Sequence, residues 1–459
     1  MPIKRLLIAN RGEIAVRIVR AARTLGIETV QAHSSADSNS LAVMLADQAI
    51  EIGPPAAAKS YLNVEAILQA AADTGVDAVH PGYGFLAENA GFAQRVSDAG
   101  LVFVGPSPDT IRAMGDKVSA RAAAQAAGVP VVPGSDGLVE DASLGQEIAD
   151  AIGYPVIIKA TAGGGGRGIR VAEDSETFAR LFPQCSAEAQ AAFGDGGLYV
   201  EKMIKQARHV EVQILGDGSD AIHCWERECS LQRRRQKVWE EAPSAALSPE
   251  KRETLCESAV RLARQIGYSG AGTLEYLYDE AAGEFYFIEM NTRIQVEHPV
   301  TECVTGLDLV GEMLRIAGGE PLRHAQADVP LTGHAIEVRL NAEDPAQDFL
   351  PGPGEITSLQ VPGGIGVRWD SMLYPGYAVP PFYDSLLGKL IVWGEDRGHA
   401  IDRLQVALSE LSIGGLKTTA PLFKALAADP DVRAGTAHTA WLEGWLETHA
   451  SRLSGGDST

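Results

Sequence analysis

At 459 residues the chain is too long for one hydrophobic core, so two to four domains are expected, and its 45% hydrophobic and 22% charged residues are the balance of a globular protein. A net charge of -21 argues against nucleic acid or an anionic membrane as a partner, because both require a basic face, although a local field can still hold a small anion. Five scattered cysteines without a CxxC or Cys/His pattern argue against a disulfide framework and a zinc site and suit a cytoplasmic protein, and no apolar run reaches the ~18 residues that would span a membrane.

Residues 6–9 are predicted as the first strand of a domain, since the run is too short for the core of a signal peptide. A helical pattern over 13–25 (Ile14, Ile18, Leu25) follows, with Gly26 as its cap. Strands are predicted at 29–32, 78–80 and 101–104 with helices between them, a βαβ series that implies a parallel sheet covered on both faces. An Ala-rich helix is expected over 110–130, and a loop over 133–137. From Pro155 short strands surround a glycine run, strands and hairpins dominate from about 205 to 295, and a helix runs from Pro299 to about Ala317. Residues 334–395 read as strand-rich, the last 60 as helical, and 454–459 as a frayed end.

The glycine run at 161–168 reads Thr-Ala-Gly-Gly-Gly-Gly-Arg-Gly. Gly163, Gly165 and Gly168 fit G-x-G-x-x-G, but strands are predicted on both sides (156–159 and 169–171) and no Walker lysine follows, so neither dinucleotide fingerprint nor P-loop is indicated. The run reads as a flap whose N–H groups approach a phosphate chain, with Lys159 supplying positive charge; a plain long hairpin turn is the alternative.

Residues 273–277 and 285–291 are predicted as the two strands of a hairpin. If its centre lies near Ala282, Glu275 faces Glu289 across the pair, and Asn291 shares the side of Glu289. Two carboxylates and an amide oxygen suit Mg²⁺ (or Mn²⁺). The alternative is two solvated acids, against which stand their mutual repulsion and the parity that Glu289 and Asn291 share with Phe285 and Phe287. If the chain stays extended, Arg293, Gln295 and Glu297 follow on that face, an arginine for an anion and a glutamate to accept a proton. The basic run Arg233-Arg234-Arg235 with Lys237 reads by itself as a solvated charge run.

The string from Glu289 through Met290-Asn291-Thr292-Arg293-Ile294-Gln295-Val296-Glu297-His298 to Pro299 resembles the signature of the biotin carboxylase component of biotin-dependent carboxylases. IANRGEI at 8–14, HPGYGF at 80–85, Met114–Lys117, Lys159–Gly168, Arg208–Glu211 and QKVWEEAP at 236–243 extend the resemblance in order from residue 3 to about 445. It implies an α/β ATP-grasp enzyme with a Rossmann-like domain over 1–115 and an ATP-grasp domain over 116–330 with a lid at about 131–203. A β-rich domain over 331–445 and a tail at 446–459 would follow. By the same resemblance ATP would meet Lys117, Lys159, Gly165, Gly166, Glu201, Lys202, Ile204, His209, Gln232, Glu275, Leu277 and Glu289. Mg²⁺ would bind Glu275, Glu289 and Asn291, and bicarbonate would bind Lys237, Arg293, Gln295 and Val296. Glu297 would deprotonate bicarbonate and Arg339 would stabilise the biotin enolate, the catalytic set being Lys237, Arg293, Glu297 and Arg339.

The implied reaction carboxylates biotin on a separate carrier protein through carboxyphosphate, with a separate carboxyltransferase choosing the final acceptor, acetyl-CoA first, with another acyl-CoA, pyruvate or urea as alternatives; a homodimer in the cytoplasm is implied as well. No Met-Lys-Met biotinylation motif occurs in the chain. Two positions depart from the family pattern: Arg235 stands where histidine is common, and Ala162 where glycine is. The competing readings are another ATP-grasp ligase, which would lack the 293–297 stretch and Arg339, and a non-catalytic nucleotide-binding partner, which would have damaged metal or base residues.

Overall fold

The computed structural model describes residues 2–135, 137–139, 141–160, 169–193 and 196–453. Five parallel strands, β1 (Arg5–Ile8), β2 (Glu28–Ser34), β3 (Gln48–Gly53), β4 (Ala78–His80) and β5 (Val102–Phe103), stand in the order β3-β2-β1-β4-β5. This is the parallel sheet that the βαβ pattern predicts, with β3 added. The helix Gly12–Thr24 buries Ile14, Ala15, Ile18, Val19 and Ala22, one face of a 3.6-residue repeat, against β1.

A small antiparallel sheet, β7-β6-β8, is built from β6 (Val156–Ala160), β7 (Ile169–Ala172) and β8 (Leu198–Lys202). The helices Ala142–Ile152 and Ser175–Phe193 cover it, and Phe178, Phe182, Cys185 and Ala189 pack on Val156, Ile158 and Val200. The predicted flap of 161–168, with Gly165, Gly166 and Ala162, lies outside the described residues.

The centre of the molecule is an eight-stranded antiparallel sheet. Its strands are β9 (Ala207–Asp217), β10 (Ala221–Arg233), β11 (Gln236–Ala242), β12 (Ser269–Asp279), β13 (Glu284–Asn291), β14 (His334–Asn341), β15 (Val367–Ser371) and β16 (Leu386–Gly394). They run in the order β13-β12-β9-β10-β11-β14-β16-β15. The sheet continues through the β11–β14 pairing, so the C-terminal strands extend the same surface. Alternation along each strand sorts its residues between two faces. Val210, Val212 and Ile214 of β9 and Leu274, Tyr276 and Tyr278 of β12 pack under the helix Pro249–Gln265, on its Leu255, Ala259 and Leu262. The residues between them, His209, Glu211, Gln213, Thr273 and Glu275, face the other way and are polar.

Several sequence expectations change. Two further helices, Ser175–Phe193 and Pro249–Gln265, interrupt regions read as strand-rich. The helix expected over 110–130 is two, Pro108–Gly115 and Lys117–Ala126, because extended Asp116 breaks the first and its side chain accepts the Ser119 N–H (2.8 Å) to cap the second. The helix expected from Pro299 to Ala317 is also two, His298–Thr305 and Leu309–Ala317, parted at Gly306, whose φ of 72° favours glycine.

The hairpin holds the correction that matters most. Near its turn Tyr278 pairs with Phe285 and Tyr276 with Phe287; beyond a β-bulge Glu275 pairs with Glu289, Leu274 with Met290 and Thr273 with Asn291. Ile288 is the extra residue and is exposed. Phe285, Phe287 and Met290 therefore lie in the core, while Glu289 and Asn291 join Glu275 on the polar face. The shared parity of aromatics and acids is not a shared face. Deleting Ile288 removes the extra residue and leaves Tyr276 opposite Phe287 and Glu275 opposite Glu289 in one unbroken register, so each side chain keeps its face and only a modest fall in Tm is expected. Ile288→Thr keeps the bulge and should change stability by no more than about 0.5 kcal/mol, both read by thermal denaturation.

Candidate active site

A cleft of ≈ 780 Å³ opens on the polar face of the large sheet, closed on one side by Asn10–Glu13 and Tyr83–Phe85, which follow β1 and β4 of the N-terminal sheet. His209, Lys237, Glu275, Glu289, Asn291, Arg293, Gln295, Val296, Glu297 and Arg339 all line it, with Arg235 and Phe349. The strand order places most of them: β12 brings Glu275, β13 Glu289 and Asn291, β9 His209, β11 Lys237 and β14 Arg339, while Arg293, Gln295, Val296 and Glu297 lie between β13 and the helix His298–Thr305.

Lys237 is the hub. Its Nζ donates to Glu211 (2.5 Å), Glu275 (2.8 Å) and Glu297 (2.8 Å). Burial works against the charge, but the three carboxylates outweigh it and hold the ammonium pKa far above the usual lysine value. Glu275 in turn is held well below the ordinary carboxylate range, with Lys237 and then His209 overcoming its burial. Beneath this layer Arg227, with no side-chain exposure, uses all its donors: Nε on Glu211 (2.7 Å), Nη1 on Gln213 (2.7 Å) and Thr301 (3.0 Å), Nη2 on Thr273 (3.1 Å) and Gln295 (2.7 Å). Gln295 then donates to Glu275 at 2.8 Å.

Glu297 sits between two cations. One oxygen accepts from Lys237 and the other from Arg339 Nη2 (3.0 Å), whose Nε binds Glu240 (2.6 Å). Burial would raise its pKa, yet Lys237 and Arg339 pull it below the ordinary value despite the opposing charge of Glu211, leaving an ionised carboxylate able to accept a proton. Arg293 donates to Glu88 (2.9 Å) and to Asn291 Oδ1 (2.9 Å). The backbone carbonyl of Val296 accepts from buried Lys389 at 2.7 Å.

The expectation that 293–297 continues the strand is not met. β13 ends at Asn291, the chain turns, and Glu297 stands at the head of the helix His298–Thr305. Arg293, Gln295 and Glu297 still line one cleft because the turn aims them, and Glu88 and Arg227 fix two of them.

The metal-ligand chemistry is tested by Glu289. Among the described residues no hydrogen bond or ion pair reaches it; its side chain is open to the cleft, and the partial desolvation there, then the charges of Glu275 and Glu88, raise its pKa. Facing carboxylates of which one lacks a cation fit a divalent ion with oxygen ligands. Asn291 donates Nδ2 to Glu275 (2.9 Å) while its Oδ1 is taken by Arg293, so its use as a ligand requires that bond to exchange. His209, Glu211 and Glu275 also lie within 4.8 Å of one another, but Glu211 is already neutralised by Arg227 and Lys237.

The remaining nucleotide candidates are dispersed. Lys117 begins its helix in solvent, near enough for its charge to act on Glu289. Lys159 is bonded to Glu201 across β6 and β8, and Lys202 donates to the carbonyls of Ile152 (3.2 Å) and Gly153 (3.0 Å). Ile204 follows β8, Leu277 pairs with His209, and buried Gln232 donates to the Cys229 carbonyl (2.7 Å). Arg233 lies over the Phe349 ring (4.0 Å) and binds Asp348 together with Arg234, so part of the basic run is an ion-paired surface; Arg234 and Arg235, at φ 47° and 66°, form the β10–β11 turn at the cleft mouth. Sequence reasoning named no role for Glu211, Arg227, Glu240 or Glu88. Strand alternation marks the first three as inward-facing, but their partners come from other strands.

Three family descriptions match in succession: "Biotin carboxylase, N-terminal domain" over residues 2–111, "Carbamoyl-phosphate synthase L chain, ATP binding domain" over 116–325, and "Biotin carboxylase C-terminal domain" over 337–444. The chain is 54% identical over 444 residues to a biotin carboxylase of Nostoc sp., covering 96% of this chain and 99% of that one. It is 51% identical to a pyruvate carboxylase component of Methanothermobacter thermautotrophicus, covering 96% and 89%. Among solved structures, the biotin carboxylase domain of a thermophilic 2-oxoglutarate carboxylase bound to bicarbonate superposes with a TM-score of 0.94 at 45% identity, covering 99% and 100%.

His209 provides a direct check on the electrostatics. Burial lowers its pKa, but Glu275, whose carboxylate lies 3.1 Å from Nε2, outweighs that and brings it to about 9. The folded pKa is raised, so the stabilisation, about 3 kcal/mol, is complete below about pH 6.5 and is lost as pH rises through about 9. In His209→Gln the fall of Tm across that window should flatten.

Proposed function

We propose, from the premise that the chain belongs to the biotin carboxylase family, that it is the ATP-dependent ligase that carboxylates biotin held on a carrier protein, with bicarbonate as the carbon source. The observation that carries this reading is Glu297, an ionised buried carboxylate held between Lys237 and Arg339. Lys237 and Arg293 would hold bicarbonate, with Gln295 and the Val296 backbone fixing its plane. Glu297 would take its proton, for which an anion beside two cations is suited. The freed oxygen attacks the γ-phosphorus of ATP, ADP leaves, and carboxyphosphate forms. Its collapse gives CO₂ and phosphate; the phosphate takes the N1 proton of biotin, and Arg339 would stabilise the resulting enolate as it captures CO₂. Mg²⁺ held by Glu275 and Glu289, with Asn291, would spread the charge of the ATP phosphates. Lys117, Lys159, Gly165, Gly166, Glu201, Lys202, Ile204, His209, Gln232 and Leu277 are proposed to bind ATP. Of the described ones only His209 lines the central cleft, so closure of the small sheet over the nucleotide is part of the proposal.

The carrier and the carboxyltransferase are proposed to be separate chains, with acetyl-CoA as final acceptor, in a cytoplasmic homodimer. No helix among the described residues is long and apolar enough to cross a membrane. A second reading, an α-keto acid acceptor, is favoured by the relatives from pyruvate and 2-oxoglutarate carboxylases. The biotinylated protein and transferase that copurify with the chain decide between the two.

Transfer of labelled bicarbonate to biotin, dependent on ATP and Mg²⁺, is the expected activity. Glu297→Gln should lower kcat by roughly 10²- to 10⁴-fold with little change in ATP affinity by calorimetry. Undiminished turnover in that variant would remove Glu297 from its assigned role.

A further inference from the structure

Beneath Arg339 the sheet sets two acids against each other. Glu240 of β11 and Glu337 of β14 are direct cross-strand partners, and both are fully buried. Such partners stand roughly 5 Å apart, too close for two charges without a cation between them. Arg339 serves only one: its Nε meets Glu240 Oε1 at 2.6 Å. Lys389, the cross-strand partner of Arg339, is engaged elsewhere, with Glu13 (3.1 Å) and the Val296 carbonyl (2.7 Å). Among the described residues, buried Glu240 Oε2 and both buried oxygens of Glu337 find no hydrogen-bond partner. Ionised, Glu337 would be an unpaired charge in the interior.

We propose that Glu337 works as a protonated carboxylic acid whose O–H donates to the free oxygen of the Glu240 carboxylate, and that this shared-proton pair is the positioning device for Arg339. One proton satisfies the orphaned oxygen of Glu240 and removes the repulsion. It also limits the pair to a single negative charge, so Arg339 divides its donors between Glu240 and Glu297 and keeps its outer edge at the cleft. Two negative charges below would draw the guanidinium down and away from Glu297. The ionisable groups around Glu337 agree with this. Glu240, Glu13 and Glu297 bring negative charge, Tyr83 and Cys303 are neutral neighbours, and Lys389 and Arg339, the facing cations, are both committed. Burial, followed by neighbouring acids, raises the pKa of both members, Glu240 to about 7 and Glu337 well above the ordinary value, which places the proton on Glu337.

The proposal rests on the reading of Arg339 as the biotin-facing cation, and the test separates the two. Glu337→Gln keeps a neutral donor, and Glu337→Leu removes it at similar volume. Glu337→Gln should hold kcat for biotin carboxylation within about threefold and lose any alkaline decline due to ionisation of this pair, whereas Glu337→Leu should lower kcat/KM for biotin by more than about tenfold with KM for ATP unmoved. Equal impairment of the two variants, or a Leu variant indistinguishable from the parent, overturns the proposal. Infrared spectra of the parent at mildly alkaline pH should show the C=O stretch of a buried carboxylic acid, shifted in heavy water and lost in whichever variant folds. Absence of that band from the parent, or its survival in the variant, overturns the proposal independently of turnover. A parent that shows the band but carboxylates no biotin leaves the acid pair standing and removes the functional reading instead.

Discussion

An ammonium group buried among three carboxylates ties together every element that supplies one of them. Lys237 reaches from β11 to Glu211 on β9, Glu275 on β12 and Glu297 at the head of a helix, so three distant stretches of chain converge on one nitrogen. Buried charges of this kind add little net stability, because desolvation offsets attraction, but removing one partner leaves the others exposed to mutual repulsion at a cost of about 3–5 kcal/mol. The arrangement is therefore tightly specified. Arg227 performs the same service one layer down, where its five donors hold Glu211, Gln213, Thr273, Thr301 and Gln295 in a single plane of bonds.

That charge lattice is possible because the sheet is two-faced. Strand alternation gives the helix Pro249–Gln265 an apolar surface to cover and gives the cleft a polar one, without either intruding on the other. The bulge at Ile288 keeps Phe287 and Met290 in the core and Glu289 and Asn291 at the cleft. The segments that follow β1 and β4 of the N-terminal sheet then close the site with their own side chains. Glu88 orients Arg293, and Glu13 receives Tyr83 and Lys389. The cleft is thus a joint product of segments that the chain lays down far apart.

Features carried by neighbouring residues were legible in the sequence. The βαβ pattern, the hairpin around residue 282 and the run from Glu289 to Pro299 each depend on local periodicity or local spacing, and the structure has the parallel sheet, the hairpin and the cleft lined by that run. The helix Pro249–Gln265 also left a signal, Ser248 followed by Pro249 and Glu250, a start motif that a strand-rich context obscured. The two-residue turn at Arg234-Arg235 left none, since both positions adopt the left-handed conformation that arginine disfavours.

By itself, then, the sequence determined the class of the fold, the identity of the family and the residue types that meet at the cleft, because these follow from short-range pattern and motif. Only the tertiary structure decided which charge neutralises which. That Glu211 rather than solvent holds Lys237, that Glu289 forms no ion pair among the described residues, and that Glu240 faces Glu337 all follow from strand order and register. Those pairings join residues tens of positions apart, and a single bulge residue is enough to exchange the faces.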